Sequence, residues 1–71
     1  METVLQKLGE NLKQLRLEAG LSQEKLSERA DVDRTLISSI EHGKKLARID
    51  TLVKLARGLG TPLSTLLDGV N

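Results

Sequence analysis

The side chains best able to do chemistry in this chain gather in one short stretch. Arg34, Thr35, Ser38, Ser39 and His42 fall on one helical face, opposite Ile37 and Ile40, and Lys44 and Lys45 follow just past Gly43. The face is short, hydrogen-bonding and free of carboxylates, which suits a helix approaching phosphates and base edges: arginine can pair bidentately with guanine, hydroxyls adapt to several bases, and lysines neutralise phosphates. Catalysis is not expected. A nucleophile needs a positioned base, yet the one histidine is isolated and the carboxylates are scattered among basic neighbours. With no cysteine and a single histidine, zinc fingers, disulfides and thiol chemistry are excluded, and neither a metal nor a cofactor is expected.

The elements that must present this face are legible on either side of it. Ser22 is suited to cap a helix starting near Gln23, with Glu24 close to the positive end of its dipole. Leu26 and Ala30 then share a buried face, led by Leu21, while Lys25, Glu28 and Arg29 point to water. Asp33 caps the next helix, which buries Ile37 and Ile40 behind Val32. The linker Asp31-Val32-Asp33 is too tight for antiparallel packing and suits two helices crossing steeply, the second presented outward. A helix-turn-helix over about residues 22–42 is the expectation, its second helix shaped for a major groove.

The run Leu21-Ser22-Gln23-Glu24-Lys25-Leu26-Ser27, followed by Ile37-Ser38-Ser39-Ile40-Glu41-His42-Gly43-Lys44, resembles the XRE, Cro and lambda-repressor-like transcriptional regulators. The resemblance covers roughly residues 9 to 68, and Asp33-Arg34-Thr35 before Ile37-Ser38 makes it most similar to the controller proteins of restriction-modification systems. It implies that Gln23 meets the DNA backbone and braces the recognition helix. It also implies an ion pair between Arg16 and Glu41 that joins the first helix to the end of the third, a structural role worth little if the pair is exposed. Two positions depart from the pattern. Asp31 stands where the family usually has glycine in a left-handed turn, a conformation that Asp tolerates better than most residues. Leu36 stands where a polar or aromatic residue is usual on the DNA side; touching a thymine methyl and lying half-buried beside the core are both open to it.

The rest reads as scaffold. Leu5, Leu8, Leu12 and Leu15 mark a first helix from about Thr3 to Ala19, stopped by Gly20. Leu52, Leu55, Ala56 and Leu59 mark a fourth, ended by Gly58 or Gly60. A fifth, over about 62–68, follows with Thr61 as cap and Pro62 as first residue. No strand alternation, repeat or linker appears, so the expected fold is all-α: one five-helix lambda-repressor-like domain over residues 1–71, built on one leucine-rich core.

Composition narrows the partners. The chain has 71 residues, net charge +1 and no aromatic residue, which argues against stacking-based single-strand binding and leaves duplex DNA. The charge is uneven: residues 1–33 carry a net −2, residues 34–57 a net +4. Lys54 and Arg57 in that basic segment fit a solvated face as well as a phosphate contact, and His42 fits helix-end stabilisation as well as a DNA contact. Neither a signal peptide nor a membrane span is apparent, so the cytoplasm is the expected compartment, with no membrane partner and no small-molecule effector. Because one recognition helix covers only a few base pairs, a homodimer on a palindromic operator is expected, with Leu63, Leu66, Leu67 and Val70 as candidate interface residues: Leu67 and Val70 lie there with some surface of the fourth helix, while Leu63 and Leu66 fit the domain core as well; a contact to RNA polymerase is expected if it activates. An antitoxin-like module that binds a partner toxin and its own operator is the alternative.

Overall fold

Each helix starts and stops where local chemistry allows it. In the computed structural model, which describes residues 2–70, α1 runs Val4–Glu18, α2 Gln23–Ala30, α3 Arg34–Glu41, α4 Ile49–Leu59 and α5 Leu63–Leu66; no strand occurs among the described residues. The Thr3 hydroxyl accepts from the Gln6 amide while the Gln6 side chain accepts from the Thr3 amide, so α1 opens on a reciprocal capping box. Ser22 caps α2 through the Lys25 amide, and the Asp33 carboxylate caps α3 through the Thr35 amide. Asp31 takes the left-handed conformation at the end of α2, φ 56° and ψ 48°, as expected where a turn must reverse without glycine. The Ser27 hydroxyl of α2 then donates to the Val32 carbonyl at 2.6 Å and fixes the turn from inside.

The core is drawn from all five helices: Leu8 and Leu12, Leu26 and Ala30, Val32 of the turn, Ile37 and Ile40, Leu52, Leu55, Ala56 and Leu59, and Leu66. Helix α4 packs along α2, α1 against α3, and α5 touches both α4 and α1. Two glycines permit the closest crossings. A Cβ on Gly9 would lie 2.5 Å from the Ile40 carbonyl oxygen, and one on Gly58 would lie 2.9 Å from the Ala30 Cβ. Gly58 is therefore an interior packing residue, and the stop of α4 is Gly60, with φ +74°.

The C-terminal helix departs from expectation. It is a single turn of four residues, Pro62 occupies the cap position, and the Thr61 hydroxyl is buried without a hydrogen-bond partner instead of capping. Leu66, expected at an interface, is fully buried in the core of its own chain, because so short a helix can dock only by spending its apolar face on α1 and α4. Leu63, Leu67 and Val70 are half-buried against the same core. The Asn11 side chain of α1 holds this end in place by donating to the Leu66 and Asp68 carbonyls at 2.9 and 2.7 Å.

Candidate nucleic-acid interface

At about 100° per residue, Thr35, Ser38 and Ser39 project within roughly 50° of the direction opposite the midpoint of Ile37 and Ile40, and His42 continues the line at the cap. Arg34, the first residue of α3, stands at the edge of this face and is exposed, as is Thr35; Ser38 and Ser39 are half-buried. Leu36 lies on the other flank, half-buried against the core, which decides between the two roles open to it in favour of packing. Among the described residues Arg34, Lys44 and Lys45 form no ion pair, so their charges face outward uncompensated. The basic residues in ion pairs among the described residues are Arg16, Lys25 and Arg48.

Behind this face α3 is locked to the scaffold. The Arg16 guanidinium donates to Glu41 through Nε at 2.7 Å and Nη2 at 3.1 Å, and through Nη1 to the Leu21 carbonyl at 2.9 Å. Both side chains are nearly inaccessible, 10% and 3% exposed, so the pair is a buried clamp and not the weak surface contact that exposure would make it. Gln23 donates from its side-chain nitrogen to Glu41 at 3.1 Å, which joins α2 to the same carboxylate. One carboxylate at the end of α3 thus receives three donors, from α1 and α2 together. That satisfies a buried charge and fixes where the helix points.

The basic residues follow from how α3 ends. Gly43, at φ +69°, lets its own amide donate to Ile40 and the Lys44 amide to Ser39, closing the last turn on two otherwise unpaired carbonyls. Lys44 and Lys45 leave this turn exposed, directly beyond the outward face. His42 is exposed at the cap, its Nδ1 lying 2.7 Å from the Ser38 carbonyl oxygen. It therefore does stabilise the helix end, while its second nitrogen is left outside that bond.

A helix-turn-helix family model, designated HTH_3, matches residues 12–66. The chain belongs to this helix-turn-helix family. It is 41% identical over 71 residues to the control protein C.MunI of Mycoplasma sp., covering 99% of this chain and 96% of that one. It is 39% identical over 61 residues to the control protein C.BamHI of Bacillus amyloliquefaciens, covering 84% and 75%. Among solved structures, the restriction-modification controller protein C.AhdI of Aeromonas hydrophila superimposes with a TM-score of 0.85 at 34% identity, over 87% of this chain and 94% of that one. The fold is thus the all-α, lambda-repressor-like controller fold, and the relatives place the chain among DNA-binding transcriptional regulators and not among enzymes.

Some contributors to this helix-turn-helix gave no usable sequence signal. Ser27 braces the turn, but nothing in a serine on a helix face announces a bond to a carbonyl five residues on. Gly9 carried a faint one, since a glycine inside a leucine-spaced helix implies close approach. Leu46 and Ile49, on either side of Arg48 in and after the α3–α4 loop, are 57% and 63% exposed; a count of apolar residues alone would have sent them to the core. Leu17 on α1 is exposed too, at 58%.

Proposed function

We propose that the protein is a controller-type regulator that binds duplex DNA as a homodimer, each protomer laying α3 in a major groove of a palindromic operator near its own gene. The observation that carries this reading is the outward face of α3: hydrogen-bonding residues without a carboxylate, bordered by the uncompensated Arg34, Lys44 and Lys45. In this reading Arg34, Thr35 and Ser39 read bases, with Ser38 adding a contact, while Gln23, Lys44, Lys45 and His42 meet the backbone. Gln23 has a double task. One N–H of its side-chain nitrogen is committed to Glu41, so it would orient α3 and donate its second N–H to phosphate.

The likeness to controllers in restriction-modification systems favours regulation of a neighbouring operon over the antitoxin alternative. Two copies about one helical turn apart supply the discrimination that one short helix lacks. With Leu66 committed to the core, Leu17, Leu46 and Ile49 are the most exposed large apolar side chains, and of these Leu46 and Ile49, three positions apart, are taken as the surface for a second copy, with Leu67 and Val70 secondary. A small interface of this kind makes occupancy steep in protein concentration, and switching would then follow abundance with no effector. A contact with RNA polymerase belongs to the activating version of this role.

Footprinting on the DNA upstream of the gene, with wild type, Arg34→Ala and Lys44→Ala, tests the reading. Arg34→Ala is expected to cost about 1–3 kcal/mol and relax preference at one base pair per half-site. Lys44→Ala should weaken all sequences alike and reduce the salt dependence by about one charge per protomer. Unchanged affinity and base preference in Arg34→Ala would overturn the assignment.

A further inference from the structure

We propose that His42 makes the grip on duplex DNA proton-dependent: its imidazolium supplies a phosphate contact on each recognition helix that the neutral ring cannot make. The inference rests on the DNA-binding reading above. Because the Ser38 carbonyl oxygen can only accept, the ring nitrogen 2.7 Å from it, Nδ1, must carry hydrogen. The same oxygen also receives the His42 backbone amide at 3.0 Å, so ring and backbone are pinned together. A neutral ring held this way leaves Nε2 as a bare lone pair, which repels a phosphate oxygen. The second proton has one place to go, Nε2, and taking it up breaks no bond at the cap. An acceptor becomes a charged donor on an exposed residue, in line with Thr35 on the outward face and just before the turn to Lys44 and Lys45.

Few other groups at this end of the molecule compete. Glu41 is occupied by Arg16 and Gln23, and Lys44 and Lys45 follow on the chain. On α1, Gln6 lies against Gly43; the charged residues that follow it in sequence are Lys7, whose side chain lies against Gly69, and Glu10, and the first charged residue of α2 is Glu24. Lysines titrate well above the range in which imidazoles change charge, and ordinary carboxylates below it. Glu10 is held above its usual value by a hydrogen bond with the Glu2 carboxyl, so it is the group to control for. Phosphate stabilises the imidazolium in the complex, so the complex holds more protons, and affinity rises as pH falls and is lost as pH rises through the imidazole range.

Fluorescence anisotropy with a labelled mixed-sequence duplex tests this, since a phosphate contact needs no particular operator. Wild type should bind roughly three- to tenfold more tightly at about pH 6 than at about pH 8, with a salt dependence steeper by about one charge per protomer. His42→Gln should keep the weaker affinity at both pH values, whereas Lys44→Ala and Glu10→Gln should retain the pH response. His42 is the only histidine, so its ring proton resonance can be followed without assignment; it should titrate at higher pH with duplex than without. A resonance that titrates identically in both states, or a pH response that disappears in Glu10→Gln, overturns the proposal while leaving DNA binding intact. Failure of wild type to bind duplex at either pH would overturn the underlying reading as well.

Discussion

Removing one partner from the Arg16–Glu41 clamp should cost more than removing both. Arg16→Ala leaves a carboxylate that is 3% exposed with Gln23 as its remaining donor, and Glu41→Ala strands a guanidinium that is 10% exposed. Each single change is expected to destabilise by about 3 kcal/mol, a large share of what a domain this small can have, while Arg16→Met with Glu41→Leu should recover part of the loss. A double-mutant cycle from denaturant melts measures this, and additive single losses would contradict a buried clamp. Asp31 offers the opposite sign. It holds a left-handed conformation, and its charge sits at the negative end of the α2 dipole. Asp31→Gly relieves both and should raise stability by about 0.5 kcal/mol, seen as a melting point higher by a few degrees.

The element contact that matters most for the proposed DNA binding is the α1–α3 crossing, since it fixes how α3 is held on the scaffold. Gly9 makes it possible: an added methyl would approach the Ile40 and Glu41 carbonyl oxygens to 2.5 and 2.8 Å, and helix backbone cannot swing aside as a side chain can. Gly9→Ala should therefore force the two helices apart, at a cost of about 1–3 kcal/mol, and also strain the Arg16–Glu41 bonds that span the same crossing. Thermal melts give the stability loss. DNA affinity measured well below the melt should fall too, and a variant as stable as wild type would show that the crossing has slack.

Dimerisation is a question for the whole molecule, because it depends on which apolar surface remains after the chain has covered its own core. That core consumes Leu66 and half-covers Leu63, Leu67 and Val70, whereas Leu46 and Ile49 stay more than half exposed. Ile49→Asp is accordingly expected to weaken self-association and full-site binding by about tenfold or more, and Leu67→Asp to act mainly on stability. Sedimentation of the three proteins with and without a palindromic duplex separates these effects. An Ile49→Asp protein that dimerises like wild type would return the interface to the C-terminal helix.

The features legible before folding were mostly those written in short-range spacing, although the cap expected at Thr61 was not among them. Ser22 and Asp33 as caps, Asp31 in the turn, the leucine faces of α1 and α4, and the outward residues of α3 all follow from helical periodicity and local hydrogen bonding, which act between residues a few positions apart. Tertiary structure alone decided how α5 would be used, that Gly58 is a packing residue and Gly60 the stop, and that Asn11 would secure carbonyls more than fifty positions away. It also turned an implied Arg16–Glu41 contact into a buried clamp shared with Gln23, and left Leu46 and Ile49 uncovered. The physical reason is that burial is competitive. A residue's own type fixes its preference for the interior, but only the packing of all five helices fixes which apolar side chains the limited core admits and which polar groups find partners there.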